Sequence, residues 1–254
     1  MKKTYFILFS LLIVILCGCS KDEEDVYSVN VKATSIEASE TFALVVSPNV
    51  EGWTFKSDND LIASVSSNGL IKANYVGETN ITVINAKKGF TSNCKVTVTP
   101  KYLMYRDPCL DFGATKATVK AYEKRTFDSE TSTTLFYLGE NSTLEVVMYM
   151  FENSVFTGAS TLVPIAYSSL LSEYCAERYL YLGTSDDIIM MISPDYKTAV
   201  GLTVYSTSYL MTIYIKNTTL TRSANTDLKS IDLKSLVLRV KSIRKNTCNK
   251  IVCD

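Results

Sequence analysis

The 254-residue sequence contains no histidine. That absence removes the imidazole general base, and with it Ser-His-Asp and Cys-His catalysis and zinc sites of the H-E-x-x-H type. An excess of charge of one sign is missing too: 26 basic side chains face 26 acidic ones, without the basic stripe that would point to nucleic acid as a partner. No cysteine spacing matches a closed zinc site, and the single C-x4-C of Cys248 and Cys253 falls short of one. The leading apolar run, Tyr5 to Leu16, is shorter than the roughly 20 residues of a membrane-spanning helix. No cofactor or metal is expected. What remains open is binding, or chemistry by paired carboxylates, which suffices for a glycosidase.

Lys2 and Lys3 precede that apolar run, the layout of a signal peptide's charged and hydrophobic regions. Leu16-Cys17-Gly18-Cys19 resembles the lipobox of bacterial lipoproteins: a branched residue, two small ones, then the cysteine that is acylated. The resemblance implies removal of residues 1–18 and a lipid, of the palmitate type, on Cys19. Two or more acyl chains anchor stably where one holds only marginally. Ser20, Lys21, Asp22, Glu23, Glu24 and Asp25 follow. By charge alone this leader over residues 19–25 is a solvated spacer. Ser20 to Glu24 also resemble the export signal of Bacteroidota-type lipoproteins, which implies an outer-membrane protein facing outward, with periplasmic retention as the alternative.

Loss of residues 1–18 leaves 24 basic side chains against 26 acidic ones, a net charge of −2. Cys94, Cys109, Cys175, Cys248 and Cys253 then remain besides the lipid site, an odd number that leaves at least one free thiol unless a bond forms between molecules. Cys94 shares the parity of Val96 and Val98, which predicts that it faces a core as a small hydrophobe. Cys248 and Cys253 are the pair best placed to meet.

From Val26 to Pro100 short apolar stretches alternate with turn residues: Tyr27–Val31, Thr41–Val46, Trp53–Lys56, Ile62–Val65, Leu70–Ala73, Thr79–Asn85 and Cys94–Thr99. Ile81 and Val83 alternate with polar neighbours at the period of a half-buried strand. Seven strands in about 75 residues predict a small β-sandwich. The set Phe55-Lys56-Ser57-Asp58-Asn59, Ile62-Ala63-Ser64-Val65, Asn68-Gly69-Leu70-Ile71, Ala73, Gly77-Glu78-Thr79 and Ile81-Thr82-Val83 resembles the group 2 bacterial immunoglobulin-like domain over residues 26–100. That family commonly has Trp where Phe55 stands, which implies that Phe55 fills a core position, with Trp53 of the same parity beside it. Gly69 and Gly77 are expected at positions of positive φ. Asp58-Asn59-Asp60 offers oxygen ligands for calcium, yet it lacks the further spaced carboxylates and falls on a turn of the family pattern.

Residues 101–216 read differently, as an α+β domain. Good helix formers follow Gly113, with Thr115 as N-cap, and strands are expected at Thr133–Leu138, Leu144–Phe151 and Val155–Val163, the last two joined by a turn at Glu152-Asn153-Ser154. A second helix is expected over Tyr167–Tyr179, with Leu170, Leu171, Tyr174 and Cys175 on its apolar face. Strands at Ile188–Ser193, Thr198–Tyr205 and Tyr209–Lys216 complete a duplicated α-β-β-β unit, with the helices on one sheet face. The order of elements resembles the small fold of β-lactamase-inhibitor-like proteins and outer-membrane assembly lipoproteins, and Tyr105-Arg106-Asp107-Pro108 to Phe112-Gly113 resembles uncharacterised surface lipoproteins. Glu173 and Glu177 share a helix face at i,i+4 spacing, as a carboxylate pair or as ordinary solvated residues. Asp186 and Asp187 fit a turn.

The tail over residues 217–254 is basic, with eight cations against three carboxylates, and its apolar spacing leaves helix, strand or disorder open. The fold expected is therefore mainly β: an immunoglobulin-like sandwich, an α+β domain and this tail. The function expected is non-enzymatic binding or adhesion at the cell surface, toward a protein or glycan ligand, with membrane attachment through lipid. A periplasm-facing assembly or inhibitor-like lipoprotein and a carboxylate-dependent hydrolase are the alternatives. Sixteen tyrosines suit a binding surface and equally a core.

Overall fold

The computed structural model describes residues 26–219 and 233–251. Nine strands make up the N-terminal unit: β1 (Ser28–Val29), β2 (Ala33–Glu37), β3 (Thr41–Ala43), β4 (Val46–Ser47), β5 (Thr54–Ser57), β6 (Ala63–Val65), β7 (Leu70–Ala73), β8 (Gly77–Asn85) and β9 (Phe90–Thr99). They form a β-sandwich, one sheet in the order β2-β9-β8-β5 and the other β3-β7-β6, with β1 and β4 paired at the margin. Strand alternation puts Ile81, Val83, Cys94 and Val96 of one sheet against Ala63, Ile71 and Ala73 of the other, all fully buried. Cys94 is thus a core residue, as its parity predicts. Gly69 has φ +82°, and a Cβ there would lie 2.4 Å from the Leu44 carbonyl oxygen, so only glycine fits that turn. Phe55 packs against the same core together with Trp53.

One strand, β2, lies outside the seven expected stretches. The segment Ala-Thr-Ser-Ile-Glu of β2 carries a single large apolar residue, Ile36, and pairs parallel to β9, Ile36 opposite Val98. A lone apolar residue gives no period to read.

The C-terminal unit holds α1 (Lys116–Tyr122), β10 (Phe127–Glu130), β11 (Thr134–Leu138), β12 (Val146–Glu152), β13 (Val155–Pro164), α2 (Ser168–Ala176), β14 (Leu180–Ser185), β15 (Ile188–Ile192), β16 (Thr198–Val204), β17 (Tyr209–Lys216) and α3 (Leu233–Ile251). Its eight strands form one antiparallel sheet ordered β10-β11-β12-β13-β17-β16-β15-β14. Each half is a helix followed by a four-stranded meander, and the two halves join through their last strands, β13 and β17. The repeat is therefore α-β-β-β-β, one strand longer than the expected unit. The extra strands lie at the two edges. β10 is Phe-Asp-Ser-Glu, exposed along its length, and β14 begins at Leu180, close behind a helix that ends at Ala176 where Tyr179 was expected.

Thr115 caps α1 as expected, its hydroxyl accepting a hydrogen bond from the Thr118 N–H at 3.2 Å. The expected turn between β12 and β13 has Asn153 and Ser154 at φ 49° and 66°, both left-handed, as a two-residue hairpin of matching twist requires. Asp186 and Asp187 do the same between β14 and β15, with φ 51° and 61°. Their turn joins two strands where a helix and a strand were expected.

The helices do not share one face. Val119 of α1 and Leu171, Tyr174 and Cys175 of α2 enter the core on one side of the sheet, beside Leu135, Tyr149 and Tyr214. Leu236, Val237 and Val240 of α3 are buried on the other side, against Ile188, Met190 and Ile213. The tail thus contributes a structural helix that completes a helix-sheet-helix sandwich. Two glycines admit it: a Cβ on Gly201 would stand 2.6 Å from Val240 Cγ1, and one on Gly158 2.8 Å from Ile243 Cδ1. Among the described residues no helix is long and apolar enough to cross a membrane. Cys248 and Cys253, expected to meet, fall outside the side chains described. Replacing Gly201 with Val should lift α3 and destabilise the protein by about 1–3 kcal/mol through overpacking, read as a lower urea midpoint with faster amide exchange in α3. Unchanged exchange there would show that the helix does not rest on the glycine.

Candidate functional site

The two units meet at Glu177, the first residue beyond α2. Its carboxylate accepts the backbone N–H groups of Lys101 at 2.9 Å and Tyr102 at 3.0 Å, the residues that connect the units, and receives Arg178 Nη1 at 2.5 Å. Its carbonyl oxygen accepts the Val76 N–H from the sandwich at 2.8 Å. Asn59 makes a second tie, its Nδ2 donating to the Pro194 carbonyl at 3.0 Å while its Oδ1 accepts from Leu61 N–H. Leu61 and Tyr75 of the sandwich pack against the α3-side core.

Arg178 is buried with Glu177. Its guanidinium lies 3.8 Å from the centre of the Tyr174 ring and donates to the Tyr174 and Tyr102 carbonyls. Asp107 Oδ1 stands 3.6 Å from Arg178 Nε and accepts the Tyr174 hydroxyl. Beside this joint opens a cleft of about 540 Å³, walled by Ile62 and Val76 on the sandwich side and by Leu110 and Tyr179 on the other, with Arg178 and Lys197 at its margin.

A second buried arginine holds the next stretch of the connecting chain. Arg125 binds Glu123 at 2.8 Å, Glu140 and the Arg106 carbonyl, while Glu140 accepts the Arg106 N–H at 2.6 Å. Burial works to raise the pKa of Glu123, but the Tyr149 hydroxyl at 2.5 Å, nearby backbone N–H groups and Arg125 outweigh it and hold the carboxyl below the ordinary range. Glu140 is also lowered, burial opposing and Arg125 prevailing.

The candidate carboxylate pair does not assemble. Glu173 is exposed on α2, whereas Glu177 is turned to the connecting chain, so the hydrolase reading loses its two facing acids. Asp58-Asn59-Asp60 does not form a calcium loop: Asn59 is committed to the joint, and among the described residues no group of three or more His, Cys, Asp or Glu could hold a metal ion. Burial pushes the Cys175 thiol up to about 12 and the Tyr105 hydroxyl to about 12, which keeps both protonated and poorly suited to nucleophilic or base roles. The candidate residues Cys19, Ser20, Lys21, Asp22, Glu23 and Glu24 lie outside the described residues. The residue that sequence reasoning undervalued is Arg178. Its signal was an adjacent Glu-Arg pair inside the otherwise apolar run Tyr174 to Leu182, where charges stay only if paired.

Residues 25–96 match the family model of the bacterial Ig-like domain, group 2. The nine-stranded sandwich is therefore an Ig-like domain, and the joint is the way this Ig-like domain carries a second fold. No curated protein matches the chain. Among solved structures, an intimin mutant of EHEC O157:H7 is 11% identical, covering 74% of this chain and 95% of its own, at a TM-score of 0.24. Domains 5–6 of the S-layer protein SbsC are 13% identical, covering 76% of this chain and 83% of their own, also at 0.24. The family match rests on residues 25–96.

Glu177→Ala should leave two backbone N–H groups and a buried guanidinium without their acceptor, a cost of about 3–5 kcal/mol, and should open the exposed Lys101–Tyr102 bond to trypsin. Resistance equal to wild type would refute the joint. Because the Glu123 and Glu140 pKa values are lowered in the folded state, their stabilisation is complete above the ordinary carboxylate range and is lost as pH falls through the depressed values. Urea unfolding from pH 7 to pH 3 should show a shallower acid loss in Glu140→Gln than in wild type.

Proposed function

We propose that the chain is a lipid-anchored, non-enzymatic cell-surface protein whose Ig-like domain is a rigid spacer and whose α+β domain, completed by α3, carries the binding surface. The observation that carries this reading is the placement of the two attachments along β8. At its Asn85 end, Phe90 packs on Tyr27, where the chain enters from the side of Cys19. At its Gly77 end, Val76 is bonded to Glu177 of the second unit. The strand spans nine residues from end to end, about 27 Å at the rise of an antiparallel strand. A spacer with its tether at one end and its cargo locked to the other suits display better than catalysis. The Ig-like family match supports a cell-surface setting, and the lipobox-like Cys19 with Ser20 to Glu24 supports the outer membrane and its outer face.

Cys19→Ser should abolish incorporation of labelled palmitate and release the protein from membranes. Intact cells treated with protease should lose the wild-type protein; full protection would place it in the periplasm and favour the assembly or inhibitor-like alternative. Deleting residues 102–254 should abolish binding to a protein or glycan ligand on target cells. Binding retained by the shortened chain would move the role to the Ig-like domain.

A further inference from the structure

We propose that the entry end of the Ig-like domain is a membrane-docking tip that seats on the lipid headgroup layer to which Cys19 is tethered. The inference rests on the lipid-anchor reading above and goes beyond it, because a tether alone would leave the domain free to pivot. Tyr27, Trp53 and Phe90, from three different segments, form a mutual cluster there, with centroids 5.8, 6.0 and 5.4 Å apart. All three residues are partly exposed, Trp53 with its indole N–H turned into the fold, and Val26 beside them is 84% exposed. The turn between β8 and β9 brings Lys87 and Lys88 to the same end, both exposed, with Lys88 Nζ 5.9 Å from the Tyr27 ring centre. Among the described residues, Glu51 brings a carboxylate to this end, its carbonyl bonded to Asn85.

Each part of that arrangement has a physical counterpart in a membrane surface. Tyr favours the interface between lipid and water, where an apolar ring and a polar tip are both accommodated, and the exposed parts of Trp53 and Phe90 add apolar contact beside Tyr27. Lysines close to the surface are drawn to anionic headgroups. Seven residues lie between Cys19 and Tyr27, a reach of at most about 29 Å of extended chain, so the tip is the part of the described fold held nearest the bilayer. The leader's carboxylates at Asp22 to Asp25 lie in that interval and offer the lysines a competing partner. The aromatic cluster therefore supplies the contact, and the lysines add to it on anionic lipid. Docked this way, the Ig-like domain stands off the surface, with the Glu177 joint and the α+β domain at the outer end.

Trp53 is the chain's single tryptophan, so its fluorescence reports on the tip alone. The lipidated full-length mature protein would be reconstituted into vesicles of phosphatidylethanolamine and phosphatidylglycerol, with and without brominated phosphatidylcholine as a contact quencher, and floated on a density gradient. The proposal expects co-flotation with Trp53 emission quenched by about half or more, and at least a twofold loss of that quenching in the Lys87→Glu, Lys88→Glu double variant on anionic vesicles. Co-flotation with Trp53 unquenched overturns the docking tip while leaving the anchor intact. Failure to float overturns the anchor, and the tip with it. Quenching identical in wild type and double variant on anionic vesicles overturns the part assigned to the lysines.

Discussion

The architecture depends on one carboxylate. Glu177 draws together the chain that leaves the Ig-like domain, the arginine that follows it and, through its own carbonyl, the edge of the sandwich. Charged groups out of water are costly unless they are paired and hydrogen-bonded, and here the partners come from the connecting chain and the second unit, while the Glu177 backbone carbonyl reaches Val76 of the sandwich. That couples the integrity of the ion pair to the position of one domain on the other. Two folded units on a simple linker would be expected to move relative to each other; the clamp of Glu177 on Lys101 and Tyr102, with the Val76–Glu177 and Asn59–Pro194 hydrogen bonds, opposes that freedom.

The same logic extends along the connecting chain. Arg178 binds Tyr102 and Asp107, and Arg125 with Glu140 binds both backbone groups of Arg106. Between these clamps Met104 and Tyr105 are buried in the core beneath α2, and Cys109 follows, its N–H given to the Tyr149 hydroxyl. The segment between the domains is thus a layer of the second domain's core. Burial of this kind leaves reactive groups neutral: Tyr174, Tyr179 and Tyr214 have pKa values raised well above the ordinary by desolvation. What the interior offers is rigidity.

Much of this was legible in local pattern. The alternation around Ile81 and Val83 marks β8, the glycine at 69 marks a left-handed turn, and Thr115 and Asn153-Ser154 mark a helix start and a hairpin. The features that escaped are those whose meaning is non-local. β10 and β14 are edge strands, so the polar β10 has no buried face to give it a period, and β14 follows too closely on α2 to be parted from it. α3 was ambiguous because its apolar residues Val240 and Ile243 match a groove floored by Gly201 and Gly158, far earlier in the chain. An isolated glycine inside a strand, as in Thr-Ala-Val-Gly-Leu-Thr-Val, is the available sign of such close approach. Glu177 was read as one of a helical pair because its true partners, Lys101 and Tyr102, lie about 75 residues away.

The central claim is that the Ig-like and α+β domains form one rigid body through the Glu177 joint. Residual dipolar couplings of the mature chain in a weakly aligning medium test it most directly. The account predicts that amide couplings from residues 26–100 and from residues 101–219 with α3 fit a single alignment tensor. Two tensors of different magnitude or orientation, one per domain, would contradict it.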